Sequence, residues 1–377
     1  RIFSTKLSAS DIACMNCDDF RSLISDKKLT YMVYDEISNK FECSHDGLYN
    51  LSESFMNKDN NTSSLELNAL VRDFDEHEGI FIGLGNKTNA IMSGTLHKTK
   101  RGPGAGGVRY WKYNNVSQYI CDGLRLSRGM GRKNALAGLW WGGGKGVIWR
   151  ENNHNWNDRE FRNKLFKDYG QFISMLNGCY ITAEDLGVNV DDMEQIFSQT
   201  RYTTCIPQKY GGSGNPGILT AKGIIVAMEA AVEYKTGKSL KDISISLHGF
   251  GNVGQNMVRY VLSNYDKYPI KRIYGTDLNR NNVEQATIIK NEYSNTNIDI
   301  NIEHVTDIND ISALTADVDI VSPNAVGGIL NKDTINKMKC KYIVGAANNQ
   351  LLDDVIDDEL LFDNNICYVP DFLCNRM

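Results

Sequence analysis

The chain of 377 residues has no uninterrupted apolar run near the roughly 18–20 residues of a membrane-spanning helix, which excludes a helical membrane protein. It has no basic surplus either. Lys and Arg total 41 against 46 Asp and Glu, a net charge of -5 that argues against a general nucleic-acid binder. The nine cysteines are scattered and odd in number, which fits reduced thiols rather than a disulfide framework. Cys14 and Cys17 form a lone CxxC with no second pair at zinc-like spacing. No His/Cys/carboxylate cluster has the spacing of metal ligands, so no metal is expected. There is no GxSxG nucleophile elbow, and no histidine falls inside a chemistry-bearing motif. Composition is otherwise ordinary for a globular protein, with 41% hydrophobic and 23% charged residues.

The length suits two domains, because a single core rarely grows past about 250–300 residues. The sequence opens RIFSTKLSAS, which is basic, hydroxyl-rich and free of acids, like the end of a mitochondrial transit peptide. A cytoplasmic or mitochondrial-matrix location is expected and a secreted one is not. Sequons such as Asn61-Thr62-Ser63 and Asn115-Val116-Ser117 then read as accidents of an asparagine-rich chain. Residues 1–65 carry no assignable motif and read as an extension of unknown role. Within them Asn57–Ser64 reads as a linker or exposed loop.

Patterning begins near residue 65. Helical spacing is expected over Leu65–Asp75, Ser117–Lys133, Phe161–Leu176 and Leu219–Tyr234. Gly79–Gly85 and Ala90–Leu96 read as a hairpin, and Val147–Trp149 as a strand. Gly102–Trp111 (GPGAGGVRYW) reads as a glycine-rich turn ending in a strand-like aromatic run. Tyr180–Gly187 (YITAEDLG) reads as a strand entering an acidic loop, and Asp191 is placed to cap the helix that follows. The GGSGNPG at Gly211–Gly217 interrupts all patterning and marks a hinge and domain boundary. Beyond it, short strands at Ile243–Leu247, Arg272–Thr276, Ile320–Val321, Tyr342–Val344 and Ile366–Val369 alternate with helices. The expected architecture is α/β in two domains. A substrate-binding domain (66–215) precedes a Rossmann-type, doubly wound dinucleotide-binding domain (216–377).

Three stretches carry chemistry. Lys133–Lys145 (KNALAGLWWGGGK) joins two lysines through an apolar run and a glycine triplet. The glycines allow close backbone approach, and a lysine desolvated beside a second cation has its charged form disfavoured. A solvated helix lysine followed by a flexible glycine loop is the plainer alternative. Glu184 and Asp185 follow a strand, and a carboxylate near such a lysine could pass protons to a reacting nitrogen; a helix cap or surface pair is the alternative. Gly249-Phe250-Gly251-Asn252-Val253-Gly254 is GxGxxG between a strand and a helix. Asp277 closes the next strand, where it could accept from a ribose hydroxyl and repel a 2′-phosphate. That favours NAD over NADP, a preference that Arg280 moderates.

These motifs, with VSPNAVGGIL, GAANNQL and YVPDF further on, resemble in type and order the Glu/Leu/Phe/Val dehydrogenase family from about Leu65 onward. The branched-chain and aromatic members are the most similar. The resemblance implies reversible oxidative deamination of an L-amino acid to a 2-oxo acid and ammonia, with NAD accepting hydride, in a homo-oligomer whose domains close over a cleft. By position, Lys133 is similar to the lysine that binds the substrate carboxylate, and Lys145 to the one that activates water and stabilises the carbinolamine oxyanion. Asp185 matches the proton-transferring acid. Gly106 and Gly107 match the glycine pair lining the pocket, to which the resemblance adds Met130, Ala183 and Thr204. Thr220, Asn324, Asn348 and Asn349 stand where the family contacts the nicotinamide end of the cofactor or the substrate. Glutamate-specific members carry a lysine just before the paired glycines; Ala105 stands there, which implies an apolar substrate side chain such as that of leucine, valine or phenylalanine.

Two departures accompany the resemblance. Cys374-Asn375-Arg376-Met377 stands where the family reads Asn-Ala-Gly-Gly and continues through further helices, so a truncated closure element is expected. The family also suggests no role for residues 1–65. The alternatives are a glutamate dehydrogenase and a non-catalytic dinucleotide- or amino-acid-binding regulatory protein on the same fold.

Overall fold

The computed structural model describes residues 7–56, 63–152, 154, 155 and 157–376. Most of the leader-like opening, residues 57–62 of the expected linker and the Asn61-Thr62 of the first sequon lie outside the described residues. The chain divides into two units, Arg1–Asn215 and Pro216–Met377.

The first unit is built on seven strands: β1 (Leu29–Asp35), β2 (Lys40–Cys43), β3 (Gly79–Leu84), β4 (Ile91–Leu96), β5 (Gly104–Trp111), β6 (Gly142–Trp149) and β7 (Tyr180–Glu184). They form one sheet in the order β2-β1-β3-β4-β6-β5-β7. The pairings from β2 through β6 are antiparallel, whereas β5 runs parallel to both β6 and β7. Parallel neighbours need long crossovers. Its helices are α1 (Ala9–Ala13), α2 (Cys17–Ile24), α3 (Asp46–Phe55), α4 (Leu65–Asp73), α5 (Val116–Leu136), α6 (Arg159–Met175) and α7 (Val190–Phe197). The crossovers are α5 between β5 and β6, and α6 between β6 and β7. One core holds Tyr119, Ile120 and Leu124 of α5 against Val147 and Trp149 of β6, and a second holds Phe166, Tyr169 and Ile173 of α6 against Val108, Tyr110 and Ile148. The β3–β4 turn is held by the buried Asp168 of α6, whose Oδ2 accepts from Lys87 N, Thr88 N and Thr88 Oγ1 at 2.8–2.9 Å.

Four sequence expectations change here. Residues 7–56 are no appendage: β1 pairs with β3 along Leu29–Val33, and Phe41 and Phe55 pack on Phe74 with centroids 5.5 and 5.0 Å apart. The GAGG of β5 is strand, not turn, and the glycine triplet belongs to β6 rather than to a flexible loop. Helix α7 is capped by Asn189, which accepts from Asp192 N, so Asp191 falls inside the first turn. The apolar stretch before the triplet lies on the surface, with Leu136, Leu139 and Trp140 exposed; it does not bury Lys145.

The second unit has six parallel strands, β8 (Ser244–His248), β9 (Arg272–Asp277), β10 (Asp299–His304), β11 (Ile320–Pro323), β12 (Tyr342–Ile343) and β13 (Cys367–Tyr368). Their order, β10-β9-β8-β11-β12-β13, reverses direction at β8, which is the doubly wound dinucleotide-binding topology. Helices α8 (Gly217–Thr236), α9 (Asn252–Ser263) and α10 (Arg280–Glu292) are long, and α11 (Ser312–Thr315), α12 (Lys332–Ile335), α13 (Ile356–Asp363) and α14 (Asp371–Cys374) are short. Helix α8 stops at Gly237, whose φ of 68° continues no helix. Strand β10 was unforeseen: DINIEH is a mostly exposed edge strand with only Ile302 buried, so it carries little hydrophobic signal.

Among the described residues no helix is long and apolar enough to cross a membrane, and no group of His, Cys, Asp and Glu could hold a metal. All nine cysteines are free.

Candidate active site

Strand alternation decides which groups meet in the first unit. On β6, Gly143, Lys145 and Val147 share the face covered by α5. A Cβ at Gly143 would lie 2.3 Å from Ser127 O, so only glycine lets the helix approach there. With α5 that close, Lys145 is almost wholly buried, with 3% of its side chain exposed. At the end of β7, Glu184 and the residue after it, Asp185, turn to opposite faces. Asp185 meets Lys145, Nζ to Oδ2 at 2.5 Å. Glu184 pairs in register with Val108 on the α6 side, where its Oε2 is buried without a hydrogen bond. Burial first, then Asp192 and Asp185, push the Glu184 carboxyl up to about 7.

Burial is also the largest influence on the Lys145 ammonium and lowers its pKa; Arg109 adds to the lowering and Asp185 opposes it. For Asp185, burial works to raise the pKa, but Lys145 and Arg109 together hold the carboxyl well below its ordinary range. The site thus contains an ionised carboxylate and an amine predisposed to release its proton. The Asp185 side chain keeps 18% of its surface exposed, against 3% for Lys145, so the pair meets solvent through Asp185.

A cation beside Lys145 that the motif itself does not contain is Arg109. Arg109 Nε donates to Asp185 Oδ2 at 3.2 Å, while Nη1 donates to both oxygens of Asp122 at 3.0 and 3.1 Å. Tyr113 OH donates to Asp122 Oδ2 at 2.6 Å. Sequence reasoning missed Arg109, Asp122 and Tyr113. A signal existed: Asp122, Leu126, Met130 and Lys133 follow one another at helical spacing on α5, and Arg109 lies two residues after Gly107 on β5.

The other residues expected on the substrate side lie on or beside the same strands. A Cβ at Gly106 would lie 1.9 Å from Gly144 O and 2.8 Å from Met130 Cγ, and one at Gly107 would lie 2.7 Å from Asp185 Cβ. Both positions therefore require glycine, and both show how tightly Met130 and Asp185 crowd β5. Ala105 is buried and pairs with Gly143 and Ile181. Its carbonyl accepts from Asn134 Nδ2 at 3.3 Å, and the same amide reaches Gly142 O at 2.7 Å. That buried amide, also missed, fixes the end of α5 on which Lys133 stands half-buried. Ala183 pairs with Gly107, and Thr204 N donates to Thr182 O at 2.9 Å beside it.

The second unit carries the glycine loop. Gly249, at φ 99°, leaves β8 where a Cβ would strike Ala325, and Gly251 is the N-cap of α9 with nothing within 4 Å of an added Cβ. Asn252, Val253 and Gly254 form the first turn, and the N–H groups at such a helix N-terminus suit a pyrophosphate. Asp277 ends β9 and holds the loop: Oδ2 accepts from Phe250 N at 2.7 Å, and Oδ1 from Asn279 N at 2.7 Å and Asn282 Nδ2 at 3.1 Å. A carboxylate has about four acceptor positions, so room for a ribose hydroxyl remains. The loop therefore fits a dinucleotide. Asn324 and Asn348–Asn349 follow β11 and β12. The Asn324 side chain is engaged by Ser322 and Ala346 N, Asn348 Oδ1 accepts from Asn375, and Asn349, at φ 52°, donates its N–H to Asp371. Thr220 lies in the first turn of α8 with its hydroxyl on Pro216 O at 3.1 Å.

The comparisons agree with this geometry. Residues 89–202 match the family model described as the Glu/Leu/Phe/Val dehydrogenase dimerisation domain, and residues 211–376 match that of Glutamate/Leucine/Phenylalanine/Valine dehydrogenase. The leucine dehydrogenase of Bacillus subtilis (strain 168) is 38% identical over 281 residues, covering 74% of this chain and 71% of the relative. The phenylalanine dehydrogenase of Lysinibacillus sphaericus is 35% identical, covering 74% and 70%. Among solved structures, L-tryptophan dehydrogenase from Nostoc punctiforme matches with a TM-score of 0.55 and 29% identity, covering 80% of this chain and 79% of that one. The hetero-hexameric glutamate dehydrogenase of Thermus thermophilus, at 18% identity and a TM-score of 0.59 over 76% and 68% of the two chains, shares the fold. With its paired lysine and carboxylate on one unit and a nicotinamide-type dinucleotide fold on the other, the chain belongs to the Glu/Leu/Phe/Val dehydrogenase family of amino-acid oxidoreductases.

Proposed function

We propose that the protein catalyses reversible, NAD-dependent oxidative deamination of an apolar L-amino acid of the leucine, valine or phenylalanine type. The observation that carries the reading is the 2.5 Å contact between the buried Lys145 and Asp185 beside the Gly106–Gly107 pair. Lys133 binds the substrate α-carboxylate as a point charge. Lys145, held in a site that disfavours its charged form, takes a proton from water; once protonated, it stabilises the developing oxyanion. Asp185 passes protons to and from the substrate nitrogen. A bound nicotinamide supplies the hydride acceptor. Gly249, Gly251, Asn252, Val253 and Gly254 would hold its pyrophosphate and Asp277 its ribose; the negative charge of Asp277 favours NAD over NADP.

Ala105 is the basis for an apolar side chain, because a small neutral residue there offers no cation to a distal carboxylate. The leucine, valine and phenylalanine dehydrogenases among the relatives support the same reading. A homo-oligomer is proposed on the strength of the dimerisation-domain match. Initial rates with leucine, valine, phenylalanine and glutamate, each with NAD and with NADP, test the reading. Turnover of the apolar amino acids with NAD is expected. Preferential oxidation of glutamate would reject the side-chain assignment, and preference for NADP the cofactor assignment.

A further inference from the structure

Beside the Lys145–Asp185 contact lies a partly buried layer of charge for which the proposed chemistry has no direct use. The Arg109 guanidinium is spent on two carboxylates, Asp185 through Nε and Asp122 through Nη1. Asp122 is clamped in turn by the Tyr113 hydroxyl at 2.6 Å. Three elements are tied by these contacts: β5 supplies Arg109, α5 supplies Asp122, and the segment after β7 supplies Asp185. Two cations and two anions therefore meet where their side chains are largely shielded from water, 3–20% exposed, and unpaired charge is costly.

We propose that Arg109 is a positioning residue for the catalytic pair, fixed by Asp122 and Tyr113 so that it holds the Asp185 carboxylate against Lys145 and keeps a second positive charge beside the amine. This rests on the function proposed above. The fork matters as well as the charge. A planar guanidinium joins two carboxylates along different edges, whereas a single ammonium in its place is a point charge on a flexible stem. The largest charged influences on Lys145 come from three neighbouring elements, Asp185 after β7, Arg109 on β5 and Asp122 on α5, and α5 also carries Arg125, Arg128, Arg132 and Lys133. Its partner strand β4 presents Thr95 opposite it, which carries no charge.

Removing Arg109 takes a neighbouring cation away from Lys145, which favours the ammonium, and releases the Asp185 carboxylate from the guanidinium that fixes it, which costs the pair its geometry. Removing the Asp122 charge acts the other way. A role limited to packing predicts neither shift.

The test follows Lys145 carbamylation by cyanate against pH, read by peptide mass spectrometry, in wild type and in Arg109→Met, Arg109→Lys and Asp122→Asn; kcat and KM are measured in parallel. This readout needs no turnover. The labelling midpoint is expected to rise by about one pH unit or more in Arg109→Met, to fall in Asp122→Asn, and to stay near wild type in Arg109→Lys. Arg109→Lys is expected to lose roughly tenfold in kcat with little change in KM. An unmoved midpoint in folded Arg109→Met overturns the proposal. If that variant does not fold, an unmoved midpoint in Asp122→Asn overturns it. A wild type that oxidises no amino acid would reject the proposed function, while the midpoints would still decide the place of Arg109.

Discussion

Asp185→Asn removes one charge from a cluster whose balance is visible. The parent holds Lys145 and Arg109 against Asp185 and Asp122. The variant keeps both cations, formerly 2.5 and 3.2 Å from one carboxylate oxygen, with Asp122 as the remaining anion. Breaking a buried pair by removing one partner typically costs about 3–5 kcal/mol. The amide retains an acceptor oxygen, so a loss of about 3 kcal/mol at pH 7 is expected. The pH dependence carries a sign. The folded carboxyl is held below its unfolded value of about 3.9, so its stabilisation is fully present above that pH and is lost as pH falls through the depressed folded value. Urea unfolding from pH 7 down to about pH 3 should show a gap between parent and variant that narrows towards acid. Deamination should fall by roughly 10²–10⁴, the usual worth of a positioned proton-transfer group. A variant as stable as the parent at pH 7, or a gap constant down to pH 3, would refute the reasoning.

Other perturbations have equally definite outcomes. Gly106→Ala places a methyl 1.9 Å from the Gly144 carbonyl, which belongs to a strand and cannot yield; a loss of roughly 3 kcal/mol is expected, and an unchanged urea midpoint would contradict the packing described. Glu184, with a folded pKa raised to about 7, contributes stability below its unfolded value of about 4.3 and loses it as pH rises through 7. Glu184→Gln should therefore raise the melting temperature relative to the parent at pH 8 and do little at pH 4; equal melting temperatures at pH 8 would show that the carboxyl is not strained there. Asp277→Ser should narrow the preference for NAD over NADP by roughly tenfold or more, read as the ratio of kcat/KM values, whereas an unchanged ratio would remove Asp277 from the ribose site.

The parts of the site legible in the sequence are those whose chemistry is local. GFGNVG declares itself because strand, turn and helix adjoin in the chain, and the structure places Gly249 at the positive φ such a turn demands. Lys145 could be singled out by its glycines, although the apolar run before them is not what buries it: the adjacent Leu139 and Trp140 are exposed, and α5 and the neighbouring strands exclude the water. The Arg109–Asp122–Asp185 layer was not legible, because it joins residues from β5, α5 and the loop after β7 that no short motif contains. Strands β1 and β2 escaped for another reason. Thr30, Met32 and Tyr34 are buried, but Leu29, Tyr31 and Val33 between them are half-buried too, so the alternation that marks a strand is blurred. Adjacent Glu184 and Asp185 are alike in residue type and only the resemblance singled out Asp185; strand alternation then sends the two to opposite faces.

The most direct test of the central claim is NADH formation at mildly alkaline pH with leucine, valine and phenylalanine, for wild type and Lys145→Ala, with NAD binding to each followed by fluorescence. The account predicts turnover by wild type that falls by at least roughly 10³ in the variant, while NAD binding survives because the cofactor loop lies in the other unit. A Lys145→Ala protein that binds NAD and still oxidises these amino acids at the wild-type rate would contradict it.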